Sequence, residues 1–206
     1  MKKTIDLIKE KYGTDTPITW EELRSLGNPE ISLRVLISKA VSTGEIKCAT
    51  RGVYYFPTQT EWGESSISKR EIEEKKYLTQ GEDKIGYYTG MAFKNSLSIS
   101  TQIPSVVEIV TNKESSRKRE TKIGKFKVIL RKPRIPVTKD NIDILPLLDM
   151  INTEDRDFLN KHTSEIKDYC QSKDISFNDV LKYVEYYPTS VSQKILQRGF
   201  RNVFIQ

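Results

Sequence analysis

Cysteine and histidine are nearly absent from this sequence. Its 206 residues include two cysteines, Cys48 and Cys170, and a single histidine, His162. The cysteines lie in segments of different character and lack the spacing of metal ligands, so we expect reduced thiols, as in the cytoplasm, and no metal site. A lone histidine on a polar helical segment favours a surface or capping role over that of a general base.

Long apolar runs are also missing. No stretch approaches the ~20 apolar residues that a membrane span requires. The first residues, MKKTIDLIKEKYG, alternate charge and hydrophobe and do not predict a signal peptide. Hydrophobic residues make up 36% and charged residues 30% of the chain, which is typical of a folded soluble protein. We therefore expect a cytoplasmic protein with no membrane partner.

Motifs for common enzyme chemistries do not occur. There is no P-loop, no G-x-S-x-G and no pair of nucleotidyltransferase aspartates. One weak set consists of Glu108 in a predicted strand and Glu120-Thr121-Lys122 opening the next, since an acidic residue opposite E-x-K can hold a divalent metal in a nuclease. E-x-K is common and here lies within a run of charges. We expect no catalytic residue and no cofactor, with a metal-dependent nuclease as the least favoured alternative.

Positive charge is concentrated in one segment. The formal net charge is +6. Residues 1–60 carry nine Lys/Arg against seven Asp/Glu, whereas Lys113–Arg134 carries ten against two. Such a distribution favours an anionic partner, either nucleic acid or an acidic protein.

The first 58 residues predict three helices followed by a hairpin. Apolar spacing indicates a helix over KKTIDLIKEKYG, and Thr19 with Glu22 forms a capping box for a short second helix. Asn28 is predicted to cap the third helix, with Pro29 as its first residue. The predicted buried stripe of this third helix consists of Ile31, Val35, Leu36, Ala40 and Val41.

The stretch GEIKCATRGVYYFP predicts a β-hairpin with Lys47 and Arg51 at its tip and aromatic residues along the return strand. Two helices separated by GNP and followed by a hairpin are typical of a winged helix-turn-helix, in which the third helix enters the major groove and the wing lies along the backbone. The predicted DNA contacts are Ser32, Arg34, Ser38, Lys39, Lys47 and Arg51. Aromatic residues Tyr54 and Phe56 are predicted to close the core beneath the tip.

The remainder of the chain predicts a second domain. Residues 59–70 are predicted as a linker, and residues 71–206 as a mixed α/β domain with a small antiparallel sheet and a helical C-terminal part. The predicted fold class is therefore α+β. The basic segment predicts either a lysine-rich, solvated hairpin or a second basic surface formed by Arg117, Lys118, Arg119, Lys122, Lys125 and Lys127.

The predicted winged helix ends in RGVYYFP, and a Y-x-G…N-x-L…Q-x-P…T-N pattern and the segment ILPLLDMI follow it. The pattern occupies Tyr88, Gly90, Asn95, Leu97, Gln102, Pro104, Thr111 and Asn112. In this order, the motifs resemble the AbiEi-type antitoxins of type IV toxin–antitoxin systems. Ser96 stands where that family often has glycine.

The resemblance implies a transcriptional regulator of a phage-defence operon that represses its own synthesis on repeated operator DNA. It also implies that the second domain counteracts a nucleotidyltransferase-like toxin without forming a stable complex. Because the third helix offers few cations, we expect either that two copies act together on double-stranded DNA, cooperatively or as a homodimer, or that another basic surface contributes. The alternative is a protein-interaction winged helix that does not bind DNA.

Overall fold

The computed structural model describes residues 4–197 and 200–204. The chain divides into two compact units: the first is Met1–Lys76 with Ile123–Lys125, and the second is Tyr77–Lys122 with Phe126–Gln206. The described residues form ten α-helices and several small, mainly antiparallel sheets, which confirms the α+β class. Within these residues, no helix is long and apolar enough to cross a bilayer.

The N-terminal part of the first unit forms three helices and a three-stranded antiparallel sheet with the order β1-β3-β2. Its core is formed by aliphatic residues of the helices together with Ile18, Val53, Tyr55 and Phe56. The elements are α1 (Thr4–Tyr12), β1 (Ile18–Thr19), α2 (Trp20–Arg24), α3 (Glu30–Ser42), β2 (Lys47–Thr50) and β3 (Val53–Tyr55).

Helix α2 begins with the predicted capping box. The Thr19 hydroxyl accepts from the Glu22 backbone N–H at 3.3 Å, and the Glu22 carboxylate accepts from the Thr19 N–H at 2.9 Å. The predicted cap of α3 is wrong. Pro29, rather than Asn28, occupies the N-cap position and makes no side-chain cap, so the helix begins at Glu30.

The buried face of α3 differs from the predicted stripe. Leu33, Ile37 and Ala40 are buried, whereas Ile31 is 81% and Val35 65% exposed. Both sets follow the helical period, and each is consistent with an amphipathic helix. The core of the unit is built against the Leu33 side, so the other side of α3 faces solvent.

Residues 59–70, predicted as a linker, are folded as part of the first unit. The Asp15 carboxylate accepts hydrogen bonds from the Thr58 hydroxyl at 2.6 Å and from the Ser65 hydroxyl. These bonds connect the segment to the loop that follows α1. The first unit extends to Lys76. The elements here are β4 (Gln59–Thr60) paired with β5 (Gly63–Glu64), α4 (Lys69–Glu73) and a π-turn over Glu74–Leu78.

The second unit contains a four-stranded sheet with the order β10-β11-β9-β8. The predicted sheet was antiparallel. The pair β8–β9 is antiparallel, but β9 and β11 run parallel, and β11 lies between β9 and β10. The elements are β6 (Thr79–Gln80), β7 (Asp83–Lys84), β8 (Gly86–Thr89), α5 (Gly90–Ser96), β9 (Val106–Thr111), β10 (Arg119–Ile123) and β11 (Phe126–Arg131).

The predicted helical C-terminal part of the second unit is confirmed. Its most apolar helix, α6, contributes Leu147 and Leu148 to the main core cluster. Pro146 lies in the first turn of α6 and does not break it, because no backbone N–H is required there. The helices are α6 (Ile144–Thr153), α7 (Arg156–Lys161), α8 (Thr163–Ser172), α9 (Phe177–Val184), α10 (Thr189–Ile195) and a 3₁₀ turn over Phe200–Val203.

Candidate nucleic-acid interface

The solvent-facing side of α3 carries four of the predicted contact residues. Ser32, Arg34, Ser38 and Lys39 are all exposed, as the sequence predicted. Since a helix turns about 100° per residue, Ile31, Val35 and Lys39 follow one another along this side, opposite Leu33. The exposed face of α3 is therefore a mixture of hydroxyl, cationic and aliphatic side chains.

An open groove lies between α3 and the β2–β3 hairpin. Its volume is about 680 Å³. Trp20 and Tyr54 form an edge-to-face pair, with ring centroids 6.4 Å apart. The Arg34 guanidinium lies over the Trp20 ring at 5.1 Å, a cation–π geometry. The groove is lined by Trp20, Arg34, Ile37, Ser38, Val41, Cys48, Arg51, Gly52 and Tyr54.

Glu30 restrains Arg34 at the beginning of α3. One carboxylate oxygen of Glu30 accepts from Nη2 of Arg34 at 2.6 Å, and the other lies 3.6 Å from Nε of Arg24. The hydrogen bond from Arg34 lowers the pKa of Glu30. All three side chains are exposed, so the pair is weak and a phosphate can displace the carboxylate.

The hairpin tip presents one cation, not two. Arg51 is exposed in the turn beside Gly52, whose φ of +81° suits a residue without a side chain. Lys47 is the first residue of β2 and lies at the end away from the turn, where it pairs with Tyr55; the register shifts by a bulge between Cys48 and Thr50.

Lys47 is engaged by a carboxylate within its own unit. Its Nζ contacts Glu64 at 2.6 Å, and this hydrogen bond raises the pKa of the lysine. The turn itself is supported by the Lys76 ammonium, which donates to the Arg51 carbonyl oxygen at 2.8 Å. Arg51 is therefore better placed than Lys47 for contact with a backbone phosphate.

Two of the six residues of the predicted second basic surface are paired with carboxylates. Arg119 binds Glu114 at 2.6 Å, and Lys127 binds Glu120 at 2.7 Å. The hydrogen bond from Lys127 lowers the pKa of Glu120. Arg117, Lys118, Lys122 and Lys125 are exposed on or beside the β10–β11 hairpin. These two ion pairs therefore neutralise part of the positive charge of Lys113–Arg134.

Glu108 and Glu120, the acidic residues of the nuclease alternative, do not lie on adjacent strands. Glu108 lies on β9 and Glu120 on β10, and β11 separates the two strands. Each carboxylate is bound by a cation of β11: Arg131 contacts Glu108 at 2.7 Å, while Lys127 takes Glu120. Across residues 4–197 and 200–204, no three His, Cys, Asp or Glu side chains are grouped to hold a metal.

Two asparagines of the Y-x-G…N-x-L…Q-x-P…T-N pattern, Asn95 and Asn112, form side-chain hydrogen bonds with backbone groups of loop residues. The Asn112 amide donates to the Val137 carbonyl at 2.9 Å and accepts from the Val137 N–H at 2.8 Å. Asn95 donates to the Gln102 carbonyl at 2.6 Å. Both side chains therefore hold loop backbone in place.

An aspartate in the second unit that binds two tyrosines was not predicted from the sequence. Asp149 accepts hydrogen bonds from the Tyr87 hydroxyl at 2.8 Å and the Tyr187 hydroxyl at 3.0 Å. Burial raises the pKa of Asp149, and Arg134 lies over the Tyr187 ring at 4.8 Å. Tyr87 and Tyr187 lie 62 and 38 residues from Asp149 in sequence, and no local signal connects them.

No protein-family model matches this chain, and no curated protein matches it either.

Proposed function

We propose that the first unit is a winged helix-turn-helix and that the chain is a DNA-binding transcriptional repressor. In this proposal α3 enters the major groove and the β2–β3 hairpin is the wing. One observation carries it: Arg34 and Ser38 of α3 and Arg51 of the hairpin turn line the same open groove, where Arg34 lies over the Trp20 ring. Side chains of this kind bind base edges and phosphates.

The dimensions of α3 suit this role. Its 13 residues span about 20 Å at 1.5 Å per residue. The major groove is about 12 Å wide and admits one α-helix. Serines can bind phosphate or base edges, and Arg34 can pair with guanine in a bidentate contact.

The small number of cations limits the affinity of one copy. Arg34, Lys39 and Arg51 supply at most three phosphate contacts, which corresponds to a slope of about −3 for log K against log salt. Stable repression therefore needs two copies on one operator. We infer cooperative or dimeric binding to repeated double-stranded sites, as the resemblance also implies.

The antitoxin role rests on the resemblance to the AbiEi-type family. We infer that the second unit counteracts a nucleotidyltransferase-like toxin, without a stable complex. Co-expression with the product of a neighbouring nucleotidyltransferase-like gene tests this. The full chain should restore growth, and Arg51→Ala should still restore it because that residue belongs to the first unit. A failure of the unaltered chain to restore growth would exclude the antitoxin role.

DNA binding is tested by mobility shift with the DNA upstream of the chain's own coding sequence. Arg51→Ala should weaken binding and reduce the salt slope by about 1, because one phosphate contact is removed. Lys47→Ala is the matched control in the same hairpin, and we expect a smaller effect since Glu64 already engages Lys47. Equal binding to an unrelated duplex of the same length would contradict the proposal.

A second candidate function, a protein-interaction module, is favoured by Trp62. This side chain is 95% exposed at the tip of the β4–β5 hairpin. The Thr60 hydroxyl holds the tip by donating to the Gly63 carbonyl at 2.6 Å. Exposed tryptophans are frequent anchors of protein interfaces. In this case Trp62→Ser would abolish capture of a partner protein while Arg51→Ala would not.

A further inference from the structure

We propose that Ile31 and Val35 read thymine methyl groups in the major groove. The inference rests on the proposed DNA-binding function and adds a specificity to it. Ile31 is 81% exposed and Val35 65% exposed, although both are aliphatic. Neither is required for the core, which Leu33, Ile37 and Ala40 of the same helix fill from the opposite side.

Position along the helix supports this assignment. Ile31 is the second residue of α3 and Val35 the sixth, so both lie in its N-terminal half. In helix-turn-helix proteins, the N-terminal residues of the recognition helix contact the base edges. The two side chains are separated by about 6 Å along the helix axis, at 1.5 Å per residue. That separation corresponds to about two base-pair steps of 3.4 Å.

The surroundings of the pair favour DNA over a protein surface. Ser32, Arg34, Ser38 and Lys39 lie around the two aliphatic side chains on the exposed face, and the carboxylate there, Glu30, is paired with Arg34. Stable protein interfaces bury about 800 Å² on each partner and are depleted of lysine at their centre. Two side chains bordered by cations and hydroxyls do not make such a centre. The same border is complementary to a duplex, with hydroxyls for base edges and cations for phosphates.

Thymine is the base with the matching chemistry. Its C5-methyl is the apolar group that a base pair presents in the major groove. Removing one methyl from water is worth about a fourfold change in affinity, from the transfer free energy of a single carbon group. Two such contacts amount to about 15-fold. We therefore expect recognition sites with thymines about two steps apart in each half-site.

The test compares thymine with deoxyuridine, which lacks only the methyl group. A duplex that the full chain selects from a random pool is synthesised with thymine or with deoxyuridine at every thymine position. We expect binding to the deoxyuridine duplex to be about 15-fold weaker for each copy bound, with an unchanged salt slope because the phosphates are the same. The double variant Ile31→Ala/Val35→Ala should bind both duplexes equally.

Leu7→Ala is the control variant, since Leu7 is a 52% exposed aliphatic residue on α1. It should keep the full preference for thymine. The double variant also controls for any effect of the missing methyl on DNA shape, which would persist in it. The duplex comparison on the unaltered protein needs no variant, so a folding defect does not affect it.

Each outcome has one meaning. Tight binding with equal affinity for both duplexes overturns the thymine inference and leaves the DNA-binding function standing. A thymine preference that survives in the double variant overturns the assignment to Ile31 and Val35. Failure to select or bind any duplex overturns the proposed function and the inference together.

Discussion

The orientation of α3 decides which side chains are available to a ligand, and two alanine substitutions test it. Leu33 is 1% exposed and Ile31 81% exposed, although they are two positions apart on one helix. Truncating a buried leucine removes its transfer free energy and leaves a cavity, at a cost of about 2–5 kcal/mol. Ile31→Ala removes no core contact and improves helix propensity, so we expect a change within about 0.5 kcal/mol.

These free energies translate into separable melting temperatures. For a unit of this size, 1 kcal/mol shifts Tm by about 4–8 °C. Leu33→Ala should therefore lower Tm by at least about 8 °C, and Ile31→Ala should change it by less than about 4 °C.

Tryptophan fluorescence is a selective assay for this unit. Both tryptophans of the chain, Trp20 and Trp62, belong to the first unit. Trp20 packs edge-to-face with Tyr54 and beneath Arg34, so its emission should change when the unit unfolds. If Ile31→Ala destabilised the unit as much as Leu33→Ala, Ile31 would be in the core. The described face of α3 and the thymine inference would then both be wrong.

Three further predictions concern single side chains. Glu30→Gln should tighten duplex binding by up to about fivefold and steepen its salt dependence. The substitution releases Arg34 and removes a charge that repels phosphate. Weaker binding of this variant in a mobility shift would contradict the prediction. Asn112→Ala should destabilise the second unit by about 1–3 kcal/mol in urea unfolding, because both hydrogen bonds to the Val137 backbone are lost. Burial raises the pKa of Asp149 in the native state above its pKa in the unfolded state. Between these two pKa values the native state binds more protons, so the free energy of unfolding falls as pH rises. Unfolding followed by circular dichroism between about pH 4 and 8 should show this slope, and Asp149→Asn should lack it; an identical pH profile in the variant would refute it.

Local patterns predicted most of the first unit. The capping box at Thr19, the hairpin turn at Gly52 and the exposure of Ser32, Arg34, Ser38 and Lys39 are all present in the structure. Each depends on contacts within a few residues, or on the period of a single helix. The DNA-binding role of these residues stays a prediction.

Interactions between distant segments could not be predicted in the same way. Lys47 is paired with Glu64, which belongs to a segment predicted as a linker. Glu108 and Glu120 were expected on adjacent strands, but the order of the sheet places β11 between them. An ion pair forms only between side chains whose elements meet in the fold. The sequence contains many carboxylates that could pair with a given cation and does not indicate which of them lies nearby.

The sequence by itself determined the three helices and the hairpin of residues 1–58, since caps, turns and hydrophobic periods are local properties of the chain. Only the tertiary structure decided which side of α3 is buried. Seven of its 13 residues are apolar, enough for two stripes, and both satisfy the helical period. The core covers the stripe that packs against α1, α2 and the small sheet, and this choice leaves Ile31 and Val35 in solvent.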